Sequence, residues 1–257
     1  MSKRRKESDY KDSNHVVQKN NFVRNTNGVM NITALKILRV LISCIDTDNP
    51  RRDHSVYITK QELMQYTGMT GKGGFSYIKK TIDSFFCAIP LYDDKEGFKK
   101  VALITEYEWT RASDLIRVEF HKDVWNYLIV NKNFLKYEVL LLKDIENKYT
   151  LLLYEYLLSY TREKQEKQVY MDMTELRRFT GTERKYSLFK DFENKVLKQA
   201  QTDINGMMCG EFLFWYRKEK DGEHGEITGI TFFLRKRTSF TDTLDHTEFP
   251  ERLNEKI

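Results

Sequence analysis

VYITKQELMQYTG (Val56–Gly68) and VYMDMTELRRFTG (Val169–Gly181) are two copies of one pattern, 113 residues apart in a chain of 257. They agree at six of thirteen positions, and the pairs Ile58/Met171 and Tyr66/Phe179 are close in kind. Thr59-Lys60-Gln61-Glu62 has the capping-box form, a hydroxyl residue followed three positions later by Glu. Asp172-Met173-Thr174-Glu175 repeats it with Asp as the cap. In each, the cap oxygen accepts from a free N–H of the first helical turn and the Glu can reach back. Gly68 and Gly181 follow about two turns later, where a helix stop requires positive φ. Each copy therefore reads as strand-like entry, short helix, sharp stop.

The flanks repeat as well. An apolar helix precedes each copy, Leu35–Ile45 (LKILRVLISCI) and Tyr149–Leu158 (YTLLLYEYLL). After the first copy Phe75, Ile78, Ile82, Phe85 and Ile89 recur at spacings of three and four. After the second, Phe189, Phe192, Val196, Ala200 and Ile204 do the same, which gives each copy a long helix with one apolar face. Two strand-like runs close each unit: Val101–Tyr107 with Leu115–Phe120, and Glu211–Tyr216 with Ile227–Leu234, the latter pair joined by the charged, Gly-containing stretch Lys218–Gly225. A short helix, a sharp turn and a longer helix make a helix-turn-helix, and a following hairpin makes it winged. The expected fold is α+β: two tandem winged-helix domains related by an internal pseudo-repeat, with disordered charged termini. The expected division is 1–14 disordered basic tail, 15–137 first domain, 138–240 second domain and 241–257 disordered acidic tail.

Composition agrees with two such units and narrows the chemistry. Only three prolines and twelve glycines occur, which favours helices. Apolar residues are 40% of the chain and charged residues 32%, enough for real cores under a heavily charged surface. Net charge is +5; the last seventeen residues are net −3, which leaves +8 on residues 1–240 and points to a polyanionic partner. Cys44, Cys87 and Cys209 lie beside apolar residues, have no metal-ligand spacing and read as buried reduced thiols, and no apolar run is long enough to span a membrane. The start, MSKRRKESDYKDSN, lacks the apolar region of a signal peptide, so the expected location is cytoplasmic.

In a helix-turn-helix the second helix enters the major groove N-terminal end first. With Phe189, Phe192, Val196 and Ala200 facing the core, the opposite face is Ser187, Asp191, Asn194 and Lys198, with Arg184, Lys190 and Lys195 on its margins. Lys185 lies in the same basic run, and Arg177 and Arg178 replace Met64 and Gln65 of the first copy, adding phosphate contacts to the second alone. Arg, Asn and Asp pair with base edges, whereas Lys and Ser suit phosphates. The first long helix offers Lys72, Ser76, Tyr77 and Lys80, a more phosphate-type set. Arg217 and Lys218 with Lys220, and the cluster Arg235–Lys236–Arg237, are placed to grip the backbone. An ordinary solvated surface gives the same composition, so these side chains stay candidates.

No catalytic, metal or cofactor site emerges. The five histidines are scattered, and no His-x-His pair suits the metal of a rolling-circle nickase. Gly68-Met-Thr-Gly-Lys-Gly-Gly lacks the four-residue gap and the Ser/Thr of a phosphate-binding P-loop.

Ile145–Tyr160 (IENKYTLLLYEYLLSY) resembles the Lys-Tyr-Ser…Leu-Tyr-Glu-Leu-Leu signature of initiator Rep proteins of iteron-containing, theta-replicating plasmids. The resemblance extends through HVVQKNNFVRN (His15–Asn25), Val118-Glu-Phe, Tyr127-Leu128, Phe134–Tyr137, Glu175-Leu176-Arg177, Phe189–Leu197 and Asp203-Ile204-Asn205, about residues 15–235. Leu152 stands where the signature commonly has a base, and Leu135 replaces a Thr. The resemblance implies a non-enzymatic, origin-binding replication initiator. It would bind direct repeats in double-stranded DNA as a monomer, repress its own promoter as a homodimer, and open an AT-rich segment with the host initiator and replicative helicase as further partners. It also implies that Arg184–Lys198 is the main reader and that the first domain dimerises. A tandem winged-helix repressor without a replication role shares the same surface; a nickase and a protein-bridging scaffold are the readings from other classes.

Overall fold

The computed structural model describes residues 7–26, 30–68, 72–94, 97–109, 114–129, 133–161, 166–207, 210–222 and 225–237. The first half runs β1 (His15–Lys19), α1 (Asn20–Thr26), α2 (Ile32–Ser43), β2 (Ser55–Thr59), α3 (Lys60–Met64) and α4 (Lys72–Asp83). Strands β3 (Ala88–Asp94), β4 (Gly97–Ala102), β5 (Ile104–Trp109) and β6 (Leu115–Phe120) follow, then α5 (Lys122–Leu128) and β7 (Phe134–Glu138). The second half runs α6 (Lys148–Leu158), β8 (Glu166–Asp172), α7 (Met173–Thr180) and one long helix made of α8 (Phe189–Phe192), a π-helical stretch Glu193–Lys198 and α9 (Gln199–Gly206). It closes with β9 (Phe212–Lys220) and β10 (Ile227–Lys236).

The two quoted segments behave alike. Thr59 accepts from the Glu62 N–H at 3.2 Å while the Glu62 carboxylate accepts from the Thr59 N–H at 2.7 Å, a complete capping box. Asp172 accepts from the Glu175 N–H at 2.9 Å. Gly181 (φ 65°) caps α7 in the left-handed conformation, whereas α3 already ends at Met64 and Gly68 (φ 66°) closes the turn that follows it. In each half the strand before the helix-turn-helix joins the closing hairpin antiparallel, in strand order β2-β6-β5 and β8-β10-β9. The two halves are tandem winged-helix units.

Five features depart from the sequence reading. Of the cysteines expected to be buried, Cys44 is, Cys87 is exposed, and Cys209 lies outside the described residues. The run Val101–Tyr107 is cut at Leu103 into β4 and β5, and β3 pairs with β4 as an additional hairpin that has no counterpart among the described residues of the second half. Ile89 lies in β3, because the first long helix stops at Asp83 and Ser84–Phe86 form a single tight turn. The second long helix begins at Phe189, not at Arg184, and runs to Gly206. Residues 7–14, expected to be disordered, are tied to the first unit. Asp9 exchanges backbone and side-chain bonds with Tyr57 at 2.7 Å and pairs with Arg51, and the buried Tyr10 hydroxyl meets that of Tyr66. The expected tail 241–257 lies outside the described residues.

Apart from Lys148 at its start, Thr150 and Glu155, helix α6 is apolar or aromatic all round, and Tyr149–Leu158 are all buried, as a helix without a polar face must be. One flank packs into the second unit, where Tyr154 stacks on Phe212 at 5.3 Å and Thr150 bonds Asp203 at 2.5 Å. The other flank meets α1 and α2 of the first unit. Here the Glu155 carboxylate, fully buried, accepts four hydrogen bonds. Two come from Arg39 on α2 (2.6 and 2.8 Å), one from Tyr137 on β7 (2.6 Å) and one from Gln18 on β1 (2.9 Å). Burial disfavours the Arg39 charge, but Glu155 outweighs it and the guanidinium pKa moves up. Burial and then Glu155 push the Tyr137 hydroxyl well above its usual range. Both shifts favour the protonated forms that donate to the carboxylate.

Candidate nucleic-acid interface

The turn between α7 and α8 is built before any ligand arrives. Gly181 reverses the chain, and Thr182 N–H closes back on the Arg177 carbonyl at 2.8 Å. Thr180 and Thr182 hydroxyls then meet at 2.8 Å, both buried. The Arg177 guanidinium donates to the carbonyls of Thr182 (3.3 Å), Lys185 (2.9 Å) and Tyr186 (3.0 Å) and lies 4.8 Å from the Phe192 ring centre. Those contacts hold Tyr186 at φ 53°, a left-handed conformation that costs a non-glycine residue about 1–3 kcal/mol. The Tyr186 ring sits edge-on to Tyr149 of α6 at 6.3 Å, which anchors the turn to the core.

This frame presents Arg184, Lys185 and Ser187 on the turn and Lys190, Asp191, Asn194, Lys195 and Lys198 on the helix, all exposed on the side away from Phe192, Val196, Leu197, Ala200 and Ile204. The π-helical stretch turns both Val196 and Leu197 inward and rotates the face beyond it. Between Glu183 and Lys198 there are five bases and three acids, but Glu193 faces inward to the Tyr216 hydroxyl (3.1 Å) and Lys218 (3.3 Å). Lys148 lies behind the turn with its pKa lowered, first by burial and then by Lys185. The outward face is therefore cationic, with an amide, a carboxylate and a guanidinium suited to base edges.

The remaining candidates are placed differently. Arg178 is exposed on α7, next to the turn. Arg177, expected at a phosphate, instead spends its planar fork on three carbonyls. Arg217 and Lys218 lie in β9, not in a loop. Arg217 pairs with Glu219 at 3.0 Å over the Phe233 ring, and Lys218 pairs with Glu193, so part of each charge is neutralised within the fold. Arg237 donates to the Asn205 carbonyl at 2.6 Å and so caps the C-terminal end of α9. In the first unit Ser76 and Lys80 are exposed on α4 and Tyr77 is half-buried; the Lys72 side chain lies outside the described residues. Lys79, exposed beside Lys80, and Leu188, exposed at the start of α8, escaped the sequence reading because neither fits an apolar period or a base-reading type. Among the described residues no cluster of His, Cys, Asp or Glu is placed to hold a metal ion, and no helix is long and apolar enough to cross a membrane.

Paired winged helices, the second with a rigid turn and a cationic helix face, define the class of tandem winged-helix proteins. Residues 15–158 match the family model described as initiator replication protein, WH1, and residues 172–234 match that of initiator Rep protein, WH2. The chain belongs to the initiator replication protein family. A replication initiation protein of Escherichia coli is 24% identical over 184 residues, 65% of this chain, and the match spans about half of that relative's length (55%). The crystal structure of Pi initiator protein in complex with iteron DNA has the same fold, with a TM-score of 0.73 and 16% identity over 90% of this chain and all of that one.

Proposed function

We propose that the chain is a plasmid replication initiator that binds direct repeats at its origin through the turn and helix Glu183–Lys198 of the second unit. The observation that carries this reading is the preformed turn: a strained residue held by Arg177 is worth its cost only if the side chains it presents must be rigid on arrival. Asn194 and Arg184 serve base edges, and Lys185, Lys190, Lys195 and Lys198 serve phosphates. Family membership and the iteron DNA bound by the Pi initiator protein support the same ligand class. Ser76 and Lys80 of α4 add backbone contacts, and the first unit forms the homodimer that represses the promoter. Origin opening proceeds with the host initiator and helicase in the cytoplasm, and the chain supplies binding energy rather than a reaction of its own.

Footprinting of the parent replicon tests this. Protection of regularly spaced repeats is expected, with affinity falling steeply as salt rises because each phosphate contact releases counterions. No protected repeat would overturn the reading. Arg184→Ala and Asn194→Ala should each weaken repeat binding by about 1–3 kcal/mol and relax one base position, as measured by anisotropy titration on repeat variants. A plasmid carrying only this gene and its upstream repeats separates an initiator, which sustains replication, from a repressor, which does not.

A further inference from the structure

Leu188 stands 67% exposed immediately before α8, between Arg184, Lys185 and Ser187 on one side and Lys190 and Asn194 on the other. Of the large apolar side chains that stand exposed among the described residues, it is the one that lies on the cationic face; Phe86, Phe98, Leu140 and Tyr170 lie elsewhere. It occupies the helix N-cap with extended backbone (φ −78°, ψ 131°) and gives no side-chain capping bond. Leucine is among the poorest residues at that position, where Ser, Thr, Asp or Asn would satisfy a first-turn N–H. The residue thus forgoes a side-chain cap and leaves most of an apolar group in water. Side chains that break a local rule without a structural benefit mark the surface that a ligand completes.

We infer that Leu188 is a specificity-determining residue that packs against the 5-methyl group of a thymine in the major groove, an inference that rests on the second winged helix reading DNA. The chemistry is selective. The thymine methyl is the one apolar group that a base edge offers in that groove, and the start of the second helix is the part that enters it. The surrounding cations hold phosphates on both sides, so the apolar contact is made in a site already drained of water.

The test uses the full-length protein and a duplex carrying the footprinted repeat, with each thymidine replaced in turn by deoxyuridine, which removes only the methyl. Wild type should lose about fourfold in affinity at one position, the worth of one buried methyl-sized group. Leu188→Ala should bind the parent duplex several-fold more weakly and lose nothing further at that position. Leu188→Ser should show the same binding loss while melting no lower than wild type, because serine restores the cap. A wild type indifferent to every deoxyuridine, or a Leu188→Ala that loses as much as wild type at the same position, would overturn the inference and leave the function standing. Failure of wild type to bind the repeat at all would remove the function and this inference together.

Discussion

Glu155→Ala should lower the unfolding free energy by about 3–5 kcal/mol, read from urea denaturation followed by tryptophan fluorescence and far-ultraviolet circular dichroism. The magnitude follows from what remains. Four donors on three separate elements converge on one buried carboxylate, and its removal leaves the Arg39 cation without its ion-pair partner. Arg39→Ala leaves the complementary charge and should cost a similar amount. Arg39→Met combined with Glu155→Leu removes both charges and fills the space, so it should recover much of the loss while staying below wild type, because the buried Tyr137 and Gln18 donors lose their acceptor. The contrast between the single and double variants is the diagnostic. A Glu155→Ala loss below about 1 kcal/mol would mean that the apolar flanks of α6, not the cluster, hold the two units together.

Arg177→Ala should weaken repeat binding by about 3 kcal/mol, roughly a hundredfold, while costing far less in stability than Glu155→Ala. Arg177 acts through the turn, not on a base. Its three carbonyl bonds keep Thr182–Tyr186 in one shape, and without them Tyr186 relaxes from its left-handed conformation and carries Arg184 and Lys185 away from the helix face. Two displaced contacts at about 1–3 kcal/mol each account for the loss. Arg177→Lys should not rescue binding, because a single ammonium cannot span three carbonyls as a planar fork does. Anisotropy titration beside a thermal melt separates the two effects; binding within twofold of wild type would mean that the turn keeps its shape unaided.

Much of the fold was written locally. The capping residues, the left-handed glycines and the apolar periods Ile78–Ile82–Phe85 and Phe192–Val196–Ala200–Ile204 stand where spacing put them, because caps and amphipathic faces are short-range physics. What was missed depends on contacts far apart in sequence. Ile89 continues the helical spacing of Phe85 by chance, although Pro90 next to it was a visible warning against helix. Glu183–Ser187 contains no helix breaker, and the turn is held out of the helix by contacts the local sequence does not display, the Arg177 fork and the Tyr149 ring among them. Residues 7–14 looked too charged to order, yet Asp9 finds Arg51 and Tyr57 more than forty positions away. Charge and spacing brought the candidate face into view, but they could not separate Arg177, which shapes the turn, from Arg178, which stands exposed beside it. Glu155 did carry a readable signal: a lone acid in a helix with no polar side must be buried and therefore paired.

The sharing of α6 limits how this protein can acquire a new DNA preference. Any exchange of the second unit that also replaced α6 would have to keep an acid within reach of Gln18, Arg39 and Tyr137, or the hybrid would begin with a misfit at its centre. The exposed side chains from Glu183 to Lys198 touch none of these partners, so they can be rewritten one at a time without disturbing the joint. On the proposed reading, plasmids that must ignore one another's origins would have a narrow strip on which to diverge and a fixed chassis to keep.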